Sequence, residues 1–93
     1  MSTCVRYHVR ITGKVQGVYF RAETLREANR LGITGWVRNA EDGSVEAIFE
    51  GESGPIKAMI DWCWRGSPFS HVQTVETIQE DYQNEFSGFN ITR

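Results

Sequence analysis

The run Gly13-Lys14-Val15-Gln16-Gly17-Val18-Tyr19-Phe20-Arg21 joins two glycines to an arginine at the start of a helix-like stretch, with no acidic side chain among them. That set of residues suits an anion. N–H groups of a tight turn, the unpaired N–H groups of a helix's first turn and a guanidinium can converge on one phosphate-sized group. Arginine fits because its planar fork donates two parallel hydrogen bonds to a phosphoryl group, which lysine's ammonium cannot do. A plainer reading stands beside this one: Gly13 and Gly17 only permit a turn, and Arg21 is solvated. Composition alone weighs the two equally. The segment Gly35-Trp36-Val37-Arg38-Asn39-Ala40-Glu41-Asp42-Gly43-Ser44-Val45 shifts the balance. It sets Asn39 near the end of a strand able to lie beside the loop, where an amide can hold a water.

The elements that must position these residues follow from periodicity. Val5, Tyr7, Val9 and Ile11 alternate with Arg6, His8, Arg10 and Thr12, which predicts a half-buried strand with His8 facing away from the core. Phe20, Thr24, Leu25, Ala28 and Leu31 keep helical spacing, and Gly32 is placed to stop that helix in a left-handed conformation. Trp36 and Val37 open a second strand and 41–44 a hairpin turn. Val45, Ala47 and Phe49 then alternate with Glu46, Ile48 and Glu50 in a third strand. A loop at 51–54 is expected next, with Ser53 or Gly54 as cap and Pro55 in the first turn of a second helix. Ile56, Met59, Ile60, Cys63 and Trp64 mark the buried face of that helix. Gly66-Ser67-Pro68 ends it and carries no functional role in this reading. A fourth strand runs from His71 through Ile78, residues 80–87 form an exposed excursion, and Phe89 and Ile91 lie on a short terminal strand. The order β-α-β-β-α-β with a short C-terminal strand is an α+β, ferredoxin-like sandwich, two helices on one face of a mostly antiparallel sheet.

Size and charge bound the partners. A chain of 93 residues is expected to be one domain, 1–93. Its apolar share of 40% and aromatic share of 12% argue against disorder. No apolar run approaches the roughly 20 residues of a membrane span. The net charge of −2 removes any general drive toward nucleic acid, so positive potential has to be local to a site. Met1-Ser2-Thr3-Cys4 has no basic region followed by an apolar stretch, so no secretory signal is read and the cytoplasm is expected. Cys4 and Cys63 lack CxxC spacing, and His8 and His71 do not form a ligand set, so no metal is expected and the thiols are read as free.

The two segments resemble the paired signatures of the acylphosphatase family, G-x-V-Q-G-V-x-F-R and G-W-V-x-N-x-x-x-G-x-V, at every fixed position. The likeness extends through Leu31-Gly32-Ile33-Thr34-Gly35, Trp62-Cys63 and Gly88-Phe89, with 80–87 unlike any fixed family pattern. The resemblance implies hydrolysis of the carboxyl-phosphate anhydride of acyl phosphates to a carboxylate and inorganic phosphate, without metal or cofactor. It implies that Arg21 and the backbone amides of Val15, Gln16, Gly17, Val18, Tyr19 and Phe20 bind the phosphoryl group and that Asn39 positions the attacking water. The expected partner is therefore a small acyl phosphate, with inorganic phosphate as product and competitive inhibitor, and a monomer is the simplest assembly.

Chemistry supports so spare a site. An asparagine amide is no base near neutral pH, so it aligns the water and the proton passes to a phosphate oxygen of the substrate. A carboxylate leaving group, with a conjugate acid pKa of about 4, departs without a general acid. Phosphoryl transfer then needs positioning and charge stabilisation. Among secondary residues, Thr24 lies one turn beyond Arg21 and its hydroxyl is able to touch the site, but packing on the helix surface or back-bonding to the preceding turn is the favoured reading, and Lys14 is read as solvated with a minor role in attracting the substrate. Ala40 stands where many members of that family carry threonine, with Ser44 as a neighbouring hydroxyl. Trp36, Trp62 and Trp64 are read as core or rim residues. An RNA-binding module on the same element order needs paired aromatics in a basic setting, whereas the third strand offers Glu46 and Glu50. A metabolite-sensing domain, and a carbamoyl-phosphate domain of the kind found in hydrogenase-maturation factors, share the fold and compete with the hydrolase reading.

Overall fold

The computed structural model describes residues 3–93; Met1 and Ser2, part of the segment read for a leader, lie outside the described residues. The elements are β1 (Cys4–Lys14), α1 (Phe20–Leu31), β2 (Thr34–Asn39), β3 (Val45–Glu52), α2 (Ser53–Arg65), β4 (His71–Glu80) and β5 (Phe89–Ile91). The strands form one sheet in the order β4-β1-β3-β2-β5, antiparallel except where β5 runs parallel to β2. This is the expected α+β ferredoxin-like architecture.

The period-two pattern of the strands decides which face is covered. Val9, Ile11, Val37, Val45, Ala47 and Phe49 share one face and join Phe20, Ala28, Ile56, Met59 and Cys63 of the helices in a single core. Helix α1 occupies the range its spacing predicts and ends on Gly32, whose φ of 71° lets its N–H reach back to the Ala28 and Asn29 carbonyls. Phe20 opens α1 and meets Trp62 of α2 with ring centroids 5.4 Å apart, so the helix that follows the glycine loop is anchored at its first residue.

Three expectations are corrected. No loop separates β3 from α2: Ser53 is already helical, Glu52 is the cap, and no side chain caps the helix. Pairing of Cys4 with Glu52 carries the ladder to the helix, and that ladder overrides the turn signal of the two glycines. On α2 the buried tryptophan is Trp62, while Trp64 is half-exposed. Phe20 of α1 draws the buried stripe toward Trp62. The segment 81–88 keeps most side chains exposed yet is bound to the sheet by its backbone. Glu50 on the open face of β3 is fully buried beneath it and accepts N–H bonds from Gln83 at 2.9 Å and Glu85 at 3.0 Å.

Candidate active site

The glycine loop is built by a break in one strand and two buried valines. The pairing of β1 with β4 shifts between Thr12 and Gly13, and Gly13 has a φ of 120°. A Cβ on it would stand 2.2 Å from the His71 carbonyl oxygen, so only glycine permits this close crossing. Val15 and Val18 then drop into the core and pin the loop from below, leaving Gly17 and Tyr19 outward.

Backbone conformation aims the N–H groups. Gly17 at φ 72° and Tyr19 at φ 63° flank Val18, whose φ is not positive, and such alternation turns successive N–H groups toward one side. Tyr19 is also the cap of α1, where a left-handed tyrosine is unusual and no side chain satisfies the helix's first donors. Among the described residues, the N–H groups of 15–22 donate to no other protein group; the first engaged one is Glu23, bonded to the Tyr19 carbonyl at 3.1 Å.

Of these residues Val15, Gly17, Tyr19, Phe20, Arg21 and Ala22 line a cavity of about 390 Å³, with Ile91 of β5 on its rim, whereas Gln16 and Val18 are not part of the lining. No carboxylate lines it. Arg6, Arg10, Arg30 and Arg38 each meet a carboxylate, whereas Arg21 has no ion pair among the described residues. An unpaired guanidinium, open N–H groups and a helix N-terminus therefore share one concavity, which is favourable only for an anion.

Asn39, the last residue of β2, is not part of that lining, and the side chain of Gln16 joins the two segments instead. Gln16 Nε2 donates to the carbonyls of Ala40 at 2.8 Å and Ser44 at 2.9 Å, lashing the loop to the β2–β3 turn next to Asn39. The turn is itself closed by Ala40 N–H to the Ser44 carbonyl at 2.8 Å. Asp42 Oδ1 accepts from the Ser44 N–H and, at 2.6 Å, from its hydroxyl. Ser44 therefore does not supply the hydroxyl that Ala40 lacks. The Asn39 Oδ1 atom is buried without a hydrogen-bond partner, a condition that costs about 1–3 kcal/mol unless a donor such as water arrives.

Neighbouring residues sort as follows. Thr24 is fully buried and its hydroxyl donates to the Phe20 carbonyl at 2.8 Å, so of the alternatives open to it back-bonding is the one realised. Lys14 is exposed. Trp36 lies on the open face, where the Arg38 guanidinium sits 5.2 Å from its ring centroid. Nothing in the sequence marks Ser67 as functional, yet this buried side chain donates from Oγ to the Val18 carbonyl at 2.7 Å, directly under the loop. Ile91 likewise carries no mark of a rim residue in the sequence; only the pairing of β5 with β2 brings it there.

Among the described residues, no group of three or more His, Cys, Asp or Glu is placed to share a metal ion, and no helix is long and apolar enough to cross a membrane. The carboxyl groups of Glu46 and Glu50, both held below their ordinary value, lie on the open sheet face, and that of Glu27, lowered by its hydrogen bonds from Arg30, lies on α1; none of the three lines the cavity. Burial pushes Glu46 up, but hydrogen bonds from Arg38 and His8 outweigh it and hold the group below its ordinary value.

Comparison with known proteins is consistent along nearly the whole chain. A family model described as acylphosphatase matches residues 7–91. The chain is 51% identical to an acylphosphatase of Pelotomaculum thermopropionicum, over 92% of this chain and 94% of the relative. It is 53% identical to one of Syntrophobacter fumaroxidans, over 94% and 90%. Its fold is similar to a crystal structure of acylphosphatase from Bacillus subtilis, with a TM-score of 0.92, 31% identity and coverage of 96% and 99%.

Proposed function

Because the chain belongs to the acylphosphatase family and is a hydrolase of acid anhydrides acting on acyl phosphates, we propose that Arg21, the amides of Val15 to Phe20 and Asn39 carry the reaction. The observation that supports this reading is a cavity lined by Arg21 and by loop residues whose N–H groups have no acceptor within the protein among the described residues, with no carboxylate in the lining. A phosphoryl group seated there receives a bidentate arginine contact together with backbone and helix-dipole donation. The same donors stabilise the charge spread over its equatorial oxygens during transfer.

The water is assigned to Asn39, whose unpartnered Oδ1 can accept one of its protons and so orient a lone pair toward phosphorus. As the water oxygen bonds to phosphorus, the bond from phosphorus to the acyl oxygen breaks and a carboxylate leaves. One water proton passes to a phosphoryl oxygen of the substrate, so the amide acts through position alone. The charge is met by the guanidinium and N–H donors, which gives a metal or cofactor no necessary part. Inorganic phosphate fits the same cradle and acts as a competitive inhibitor. The reading also holds that residues 1–93 form one domain, supported by the single sheet and continuous core, and that the protein works as a monomer in the cytoplasm.

Steady-state hydrolysis of benzoyl phosphate and carbamoyl phosphate, with and without a chelator, tests it. Chelator-insensitive turnover of benzoyl phosphate, inhibited competitively by phosphate, is the expected result. Loss of turnover on chelation, or inhibition by phosphate that is not competitive, removes the assigned site.

A further inference from the structure

Resting on that reading of the loop as the phosphate cradle, we propose that Ser67, in the turn between α2 and β4, is a positioning residue that aims the Tyr19 N–H at the bound phosphoryl group. Ser67 is 3% exposed, and its hydroxyl donates to the Val18 carbonyl at 2.7 Å across 49 positions of sequence. The carbonyl of Val18 and the N–H of Tyr19 belong to one peptide group. That peptide is trans, so the two bonds point in opposite directions. Holding the carbonyl down toward the α2–β4 turn holds the N–H up toward the cavity. Tyr19 lines the cavity while Val18 does not, and the Tyr19 N–H has no acceptor within the protein among the described residues.

The turn that brings Ser67 there is itself fixed. Gly66 closes α2 at φ 71°, its N–H bonded to the Trp62 carbonyl at 2.7 Å. A Cβ on Gly66 would lie 2.3 Å from Ser70 Oγ and 3.1 Å from the Phe20 ring, so the chain passes against the root of α1 only because the residue is glycine. The Ser67 carbonyl then accepts from both the hydroxyl and the N–H of Ser70, at 2.7 and 3.0 Å. The backbone of Ser67 is thereby held on both sides, and its hydroxyl is directed at the Val18 carbonyl. This matters because Tyr19 sits in a left-handed conformation that an ordinary side chain disfavours. Without the tether, its peptide group is free to rotate and the cradle loses a fixed donor.

The test compares wild type with Ser67→Ala and Ser67→Thr. The inhibition constant for inorganic phosphate, the KM and kcat for benzoyl phosphate and the thermal midpoint are measured for each. Ser67→Ala is expected to weaken phosphate inhibition and raise KM about fivefold or more, the scale of one lost hydrogen bond, at a temperature where it is fully folded. Ser67→Thr, which keeps the hydroxyl, is expected to recover most of that loss. In wild type, titration with phosphate followed by amide NMR should move the Tyr19 N–H strongly downfield. That measurement decides the matter if Ser67→Ala does not fold. A Ser67→Ala protein that binds phosphate within about twofold of wild type, or a Tyr19 amide that phosphate leaves in place, overturns the assignment of Ser67 while the cradle stands. A wild-type protein that phosphate does not inhibit removes the cradle, and Ser67 with it.

Discussion

The proposed division of work between Arg21 and Asn39 follows from what each side chain can do, and it is testable one residue at a time. Arg21→Lys keeps the charge and loses the planar fork, so kcat/KM for benzoyl phosphate is expected to fall by about 10²-fold or more. Near-normal activity in that variant takes Arg21 out of its role. On the proposed roles, Asn39→Ala acts on the water and not on the anion. Its kcat should drop by about 10²-fold while the inhibition constant for phosphate stays close to wild type; a parallel weakening of phosphate binding shows that the roles are shared. Both are legible in the sequence as candidates because their chemistry is specific: a fork donor at a helix start and an amide at a strand end. Ser67 was not legible, since a serine after a helix-stopping glycine has the same appearance whether or not its hydroxyl meets a carbonyl 49 positions away.

Between elements, the decisive joint is Gln16, which connects the β1–α1 loop to the β2–β3 turn by two hydrogen bonds from a single amide nitrogen. Gln16→Ala leaves the Ala40 and Ser44 carbonyls without that donor and lets the cradle move relative to Asn39. Activity is expected to fall about tenfold, and urea unfolding should show a loss of about 1–2 kcal/mol. If stability falls while kcat/KM is unchanged, the joint holds the fold but does not set the spacing of the site. Element boundaries were most readable where one local signal acted alone, as at Phe20 and at Gly32. They were least readable at Glu52, where a ladder with β1 carries the strand into α2 through residues that by type announce a turn.

Across the whole molecule, the open face of the sheet is sealed by charge. Arg6 reaches Glu80 at 2.9 Å, Glu85 at 2.6 Å and the buried Glu50 at 3.4 Å. Burial raises the Glu50 pKa, but the Gln83 and Glu85 N–H groups and Arg6 together outweigh it, so the carboxyl lies below its ordinary value. Glu46 is depressed as well. Groups lowered in the folded chain stabilise it above their unfolded values. That stability fades as pH falls below the ordinary glutamate value of 4.5 and through the lower folded ones. Thermal midpoints should therefore drop steeply below that pH and stay nearly level above it. Glu50→Gln should flatten part of the drop and speed hydrogen exchange at Gln83 and Glu85; an unchanged acid profile removes Glu50 as its cause. By itself the sequence determined the element order, the acid-free glycine loop and the identities of Arg21 and Asn39, because periodicity and side-chain chemistry are local properties. Tertiary structure alone decided that Gln16 ties the loop to the second motif and that Ser67 lies beneath Val18. It likewise decided that Glu50 is buried under 81–88, since each depends on which distant backbone groups the packed chain leaves in need of a partner.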